Sequence, residues 1–319
     1  MATRISVLIP NRNGGSSLEH CLSALCASDY PDFEVIVVDD CSSDNSVEIA
    51  SRHNVKLLRL DSHLGAGAAR NAAARAATGD ALLFIDADCV VLPDTLHAAA
   101  RAYEADPEAC IGGTYTPRPF DPGFFSAFQS VFVNHFETKR PTPDYIATHC
   151  MVMSRERFLA TGGFPERFMP ILEDVEFSHR IRRSGVRLMM AQGLMVRHIF
   201  NFDLMRSLRN AYRKTKYWVR YSRAAGDLAS DSGTASIELK ANVVLWGMAC
   251  LASAFAFTIG SPALLIAPPI ALAALINRGL IAKFFALGAP FGIGATIYYL
   301  TLYPLPIALG TIAGLAARR

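Results

Sequence analysis

The chain has 319 residues, a formal charge of +3 and 51% hydrophobic side chains; it is long enough for a substantial buried core, and its small charge surplus argues against a dedicated nucleic-acid binder. Seven cysteines, at positions 21, 26, 41, 89, 110, 150 and 250, include no Cys-x-x-Cys pair. They exclude a zinc ribbon and a disulfide framework and read as reduced thiols on the cytoplasmic side. Met1 to Arg4 lead directly into the first apolar run, so no signal peptide is expected.

In chain order, Ile5-Ser6-Val7-Leu8-Ile9 predicts a strand that breaks into the loop Pro10-Asn11-Arg12-Asn13-Gly14-Gly15. A helix follows from Ser16 or Ser17, with Glu19 expected in its first turn. The pattern repeats: Phe33 to Val38 is a strand ending in Asp39-Asp40-Cys41-Ser42-Ser43-Asp44, and a helix is expected from Asn45 to His53. Lys56 to Leu60 is a short strand, after which Gly65-Ala66-Gly67-Ala68-Ala69-Arg70-Asn71 opens an Ala-rich helix, with Gly79 as its stop. Arg70 stands where a dinucleotide fingerprint needs a third Gly, which excludes that fingerprint.

Ala81-Leu82-Leu83-Phe84-Ile85 is a continuous apolar run, as a parallel strand buried on both faces requires, and Asp86-Ala87-Asp88 follow at its end. Open α/β sheets bind ligands beyond the carboxyl ends of such strands. Two acids one residue apart resist ionisation unless a cation or donor compensates, so the pair suits a divalent cation holding a diphosphate. After Gly112-Gly113-Thr114 an acceptor half begins. Phe120 to His135 reads as a Phe-rich helix whose rings are buried mostly against the sheet, with an apolar face near a bilayer as the other reading. Met151 to Met153 is a strand, Gly162-Gly163-Phe164-Pro165-Glu166 a turn, and Leu172 to Arg183 a helix with Glu173 and Asp174 in its opening turn. A strand-like Leu194 to Arg197 leads to His198.

Arg206 to Arg223 interleaves basic and aromatic residues, which suits an anionic membrane surface better than nucleic acid; some of these cations could meet a lipid-linked phosphate acceptor. From Ile237 to Ala317 the only charges are Glu238, Lys240, Arg278 and Lys283. Ala241 to Ile276, interrupted at Gly260-Ser261-Pro262, predicts two crossings, and Ile281 to Leu300 with Leu302 to Ala317 a second pair. Four short segments in two hairpins put Arg278, Lys283, Arg318 and Arg319 inside. Some of them, notably Pro262 to Ile276, are short for a span, which leaves a re-entrant or interfacial arrangement open.

Six segments in order, Ser6 to Asn13, Val37 to Ser42, Ala69-Arg70-Asn71, Phe84 to Asp88, Gly162-Gly163-Phe164 and Glu173-Asp174, resemble the family 2 glycosyltransferases of the GT-A fold over roughly the first 220 residues. The resemblance implies an α/β fold with a Rossmann-like, mostly parallel sheet flanked by helices, over residues 1–225, followed by a C-terminal helical transmembrane domain over residues 237–319. It implies that Pro10, Asn11 and Asn13 line the donor pocket, Asp40 reads the base edge of a nucleotide-diphosphate sugar, Arg70 approaches the diphosphate, and Asp86 lies near the ribose or sugar. Asp88 would be the principal ligand of Mg2+ or Mn2+, with Asp86 beside it and His198 approaching the metal or diphosphate. Arg12 departs from the family, which usually has an aromatic residue there; a guanidinium can also stack on a base. An inverting transfer to a hydroxyl needs a general base, for which Asp174 is the choice and Glu173 its neighbour. The expected protein is an integral membrane enzyme with its catalytic domain on the cytoplasmic side, taking a glycan or lipid-linked acceptor. A polyprenyl-phosphate glycosyltransferase and a non-catalytic nucleotide-sugar-binding protein are the alternatives. A processive polysaccharide synthase is disfavoured by the absence of Gln-x-x-Arg-Trp after Glu173-Asp174.

Overall fold

A computed structural model describes residues 2–166, 171–226, 228, 231–259 and 262–317. The expected break at Gly260-Ser261 and the basic end at Arg318-Arg319 lie outside the described residues. Two compact units emerge. One holds residues 1–121 and 137–200, the other residues 122–136 and 201–319.

The first unit is built on an eight-stranded sheet. Its strands are β1 (Ile5–Asn11), β2 (Phe33–Asp39), β3 (Lys56–Arg59), β4 (Ala81–Ile85), β5 (Cys89–Val91), β6 (Cys110–Tyr115), β7 (Cys150–Ser154) and β8 (Leu188–His198), in the spatial order β3-β2-β1-β4-β7-β6-β8-β5. The β3-β2-β1-β4 half is parallel, with Ile9 opposite Val37 and Leu8 opposite Phe84. β7 runs antiparallel to both neighbours, and β6 and β8 pair parallel. The helices are α1 (Gly15–Cys26), α2 (Ser46–Ser51), α3 (Ala66–Ala76), α4 (Thr95–Ala105), α6 (Arg155–Ala160) and α7 (Glu173–Arg183), with α5 (Phe124–Glu137) intervening in the chain. α1 buries Leu18, Cys21, Leu22 and Leu25, an i, i+3, i+4, i+7 stripe. α3 buries Ala68, Ala69, Ala73 and Ala74, small residues that let it approach β1 and β2 closely. One core cluster joins Leu8, Ile36, Phe84, Phe158, Phe164 and Phe177, with Phe164 and Phe177 centroids 4.6 Å apart; such ring pairs stabilise beyond their burial by about 0.5–1.5 kcal/mol.

Several expected boundaries move. α1 starts at Gly15, leaving no acid in its first turn, so Glu19 stands one turn further in. α2 is shorter than Asn45 to His53. Gly79 is no helix stop: α3 ends at Ala76, Ala77 is already extended, and Gly79 is needed because a Cβ would lie 2.8 Å from Arg4 O and Ser6 N. β6 has a similar reason for its glycines, since a Cβ on Gly113 would meet Leu194 O at 2.5 Å where β8 shifts register.

The second unit contains α5 with α8 (Leu204–Ala225), α9 (Ile237–Ile259), α10 (Pro262–Ile276), α11 (Arg278–Phe285), α12 (Ala289–Thr301) and α13 (Pro304–Ala316). Within this unit Phe128 of α5 packs on Phe284, Tyr298 and Tyr303 at centroid distances of 5.3, 4.8 and 5.0 Å. A polar chain crosses the interior of this unit, with Asn242 Nδ2 donating to Tyr299 O at 2.9 Å and Tyr299 OH donating to Asn277 Oδ1 at 2.8 Å. The expected segment Ile281 to Leu300 is interrupted at Gly288, whose φ of 117° only glycine adopts readily. Ile237–Phe255 and Ala289–Ala316 are long and apolar enough to cross a membrane, and a bent pair, Ala267–Ile276 with Arg278–Phe285, counts as a third only if taken as one broken span.

Candidate active site

The site forms where the parallel strands end. β1 delivers Asn11 and β2 delivers Asp39, and the two side chains meet: Asn11 Nδ2 donates to Asp39 Oδ1 at 3.1 Å and to Ser42 Oγ at 3.2 Å. Asn13, at φ 53°, accepts from Ser43 N at 2.8 Å, so the loops after both strands are locked together. Pro10 pairs with Val38 at the end of the ladder.

Asp40 is buried and already occupied. Its carboxylate accepts from Leu64 N and Gly65 N, both at 2.8 Å, and from His63 Nδ1 at 2.7 Å. Arg12 Nη1 lies 3.1 Å from His63 Nε2. A guanidinium only donates, so Nε2 accepts and the proton sits on Nδ1, facing Asp40. Asp40 thus fastens the loop that opens α3, and the groups left facing outward on this side are Arg12 and the half-exposed His63. An isolated histidine such as His63 carries no spacing signal in the sequence.

Arg70 does not reach outward. It is 4% exposed and bridges two acids, with Nη2 donating to Asp86 Oδ1 at 2.6 Å and Nη1 to Glu173 Oε1 at 2.7 Å. Asn71 beside it accepts from Phe164 N at 2.8 Å and donates to Phe164 O at 2.9 Å. Gly163, at φ 75°, must be glycine there, because a Cβ would lie 2.4 Å from Asn71 Oδ1. Arg70 and Asn71 therefore tie the end of β4 to the loop at Phe164 and to the start of α7.

Asp88 diverges from Asp86. Its backbone carbonyl accepts from Ile199 N at 2.8 Å, and its Oδ1 lies 3.4 Å from His198 Nε2. The β5-β8 ladder sets this meeting, since Cys89 is directly opposite His198. Asp88, Cys89 and His198 present ligand atoms within 4.8 Å of one another, a group that could hold a metal ion and from which Asp86 is absent. Burial pushes the Cys89 thiol up, reinforced by Asp88 and Asp86, and sulfur is a soft donor poorly matched to Mn2+ or Mg2+. That leaves the Asp88 carboxylate and the His198 imidazole as the donors suited to Mn2+, and the carboxylate as the one suited to Mg2+.

The two acids titrate in opposite directions. Burial acts against charge on both; at Asp86 it is outweighed by Arg70, with His149 and His198 adding to the effect, and the pKa falls. At Asp88 burial, seconded by the Asp86 charge, prevails over His198, and the pKa rises. Behind them lies a buried layer absent from the sequence reading: Tyr115 stacks on His149 at 4.0 Å and meets His198 edge-on at 4.9 Å, while His149 Nε2 is 3.3 Å from Glu137 Oε2. Asp174 lies in the first turn of α7, its Oδ1 accepting from Val175 N at 2.8 Å.

The parallel strands end in a locked loop pair and an acidic strand end beside a histidine, in a sheet that belongs to an α/β domain of the GT-A fold. Residues 6–159 match the family model described as Glycosyl transferase family 2. The match includes Asn11, Asp40, Arg70, Asp86 and Asp88. The chain is 36% identical over 104 residues to poly(ribitol-phosphate) beta-N-acetylglucosaminyltransferase TarS of Staphylococcus aureus, covering 30% of this chain and 18% of that protein. It is 27% identical over 186 residues to an uncharacterized glycosyltransferase of Haemophilus influenzae, covering 54% and 60%. It thus spans between 18% and 60% of the length of these relatives. The mannosyltransferase PcManGT of Pyrobaculum calidifontis, solved with GDP-Man and Mn2+, superposes with a TM-score of 0.62 at 18% identity, covering 100% of this chain and 89% of that one. GalNAc-T7, solved with UDP, GalNAc and Mn2+, gives a TM-score of 0.52 at 18% identity over 70% and 48%. These two establish the fold.

Proposed function

We propose that the protein is a membrane-anchored, inverting glycosyltransferase that moves a sugar from a nucleotide-diphosphate donor to a hydroxyl acceptor in cell-envelope glycan or glycolipid synthesis. Residues 1–225 would hold the transferase with its basic juxtamembrane helix, residues 237–319 the membrane domain, and the catalytic face would lie on the cytoplasmic side. The observation that carries the reading is the Asp86–Arg70–Glu173 bridge beside Asp88 and His198. It holds a cation-binding strand end and an acidic helix start in one rigid frame. PcManGT and GalNAc-T7 were solved with nucleotides and Mn2+, which supports the same classes of donor and ion here.

Asp88 and His198 would hold Mn2+ or Mg2+, and a bound cation supplies charge neutralisation for the leaving diphosphate. The chain's own residues do the rest. The Asn11, Asn13 and Asp40 loops shape the donor pocket, with Arg12 and His63 at its open edge. Arg70 keeps Asp86 ionised and fixed, and pins Glu173. Asp174, at the positive end of α7, accepts the acceptor's hydroxyl proton. Nucleotide release from UDP-, GDP- and dTDP-sugars, measured with Mn2+ or chelator and with lipid-linked and glycan acceptors, tests the reading. Chelator-sensitive release with one donor supports it, and the absence of release with any donor and acceptor overturns it in favour of a non-catalytic binder.

A further inference from the structure

α8 and α13 lie side by side rather than crossing. α12 joins α8 as well, through Ser207 Oγ and Tyr298 OH, 2.9 Å apart. In the middle, an added Cβ on Gly310 or Gly314 would come within 2.7 Å of Tyr212 O or 2.8 Å of Lys216 O. At the other end Arg223 Nη1 donates to Leu315 O at 2.6 Å. Gly310 and Gly314 meet Tyr212 and Lys216 at the same four-residue step and in the same order, so over ~6 Å of close approach the two helices share one direction and one depth.

That depth is not hydrocarbon. Arg206, Arg209, Arg213, Lys216, Arg220 and Arg223 recur at alternating steps of three and four, a single helical face, and Arg206, Arg209 and Arg213 are exposed. Charged side chains at a bilayer centre are costly unless they reach the interface. On the side of α13 away from its glycines, Leu305, Leu309, Ile312 and Leu315 are 40%, 50%, 63% and 46% exposed. With α13 held beside α8, α12 alone is ~20 Å long and cannot cross a hydrocarbon core of ~30 Å.

We infer that α12 and α13, although apolar enough to span, lie in the plane of the bilayer interface. Their exposed apolar face enters the acyl boundary, and the cation row of α8 meets anionic headgroup phosphates. α9 supplies the crossing. This rests on the membrane-anchored reading above.

The test places nitroxide labels, through a keto-bearing unnatural residue, at Leu305, Leu309, Ile312 and Leu315, and at Val244, Met248, Leu251 and Phe255 of α9, in full-length protein reconstituted in vesicles containing phosphatidylglycerol. Power saturation with oxygen and a nickel chelate reads depth. The α13 labels are expected within ~5 Å of one depth, whereas the α9 series changes by ~17 Å. A progression of ~15 Å along α13 overturns the inference. Labels exposed to water on both helices overturn the membrane anchor itself. Replacing Arg209, Arg213 and Arg220 by Gln should move the α13 labels toward water and leave those of α9 in place; unchanged depths overturn the headgroup assignment.

Discussion

Asp86 and Asp88 are one residue apart and chemically divided: Arg70 neutralises the first, while the second faces His198. The division predicts different losses. Asp88→Ala should abolish Mn2+-dependent transfer and leave the melting temperature within a few degrees of wild type, because an acid raised by burial contributes little to stability. Transfer near the wild-type rate would remove Asp88 from the cation site. Asp174→Asn keeps size and the Val175 contact but cannot take a proton. For a hydroxyl acceptor, turnover should fall by roughly two to four orders of magnitude with donor affinity unchanged. Steady-state kinetics with varied donor decide this. Unchanged turnover and affinity would place the base elsewhere or indicate a phosphate acceptor, which needs less help from a base.

At the scale of elements, the Arg70 bridge joins α3, the end of β4 and the start of α7. Removing one partner of a buried ion pair typically costs about 3–5 kcal/mol. Arg70→Met should therefore lower the thermal midpoint and reduce transfer, and Arg70→Lys should restore only part, since one ammonium lacks the fork that reaches both acids. Equal stability of all three proteins would show that the bridge is incidental. Glu34 offers a pH test at the start of β2: burial opposes its charge, but Ser6 Oγ, Thr78 N and Thr78 Oγ1 donate to it and the net pKa is lowered. A lowered carboxylate stabilises the fold above its unfolded pKa, about 4.3, and loses that contribution as pH falls through the folded value. Glu34→Gln should thus be less stable than wild type at pH 7, and the gap should close below about pH 4 in thermal melts. A gap that persists in acid would rule out the linkage.

The parallel half of the sheet was legible because buried strands leave apolar runs, and the placing of Asp86 and Asp88 at a strand end and of Glu173 and Asp174 at a helix start because the apolar pattern stops or begins there. β6 was hidden by Gly112 and Gly113, whose small size answers a shift in β8 that local sequence does not contain. The partners of Arg70 and Asp40 were equally invisible. Arg70 finds Glu173 103 residues away and Asp40 finds Leu64 N 24 residues away, contacts that only the assembled sheet creates.

At the scale of the whole molecule, the C-terminal helices also cover a helix that lies a hundred residues earlier in the chain. The rings of Phe128 and Phe132 on α5 are covered by Phe284, Tyr299 and Tyr303 from the tail. A protein truncated after Ser236 keeps every residue assigned to the donor and cation site, so it should still bind a nucleotide-sugar, as calorimetry would show. It also uncovers rings that bury roughly 150–250 Å² each, and exposed apolar patches of that size drive association. The truncated protein should therefore elute as oligomers and bind a hydrophobic dye. Phe128→Ser with Phe132→Ser in the same truncation should return it to a monomer without changing nucleotide affinity. A truncation that is monomeric with its phenylalanines intact would mean that α5 finds other cover, and that the tail is only an anchor.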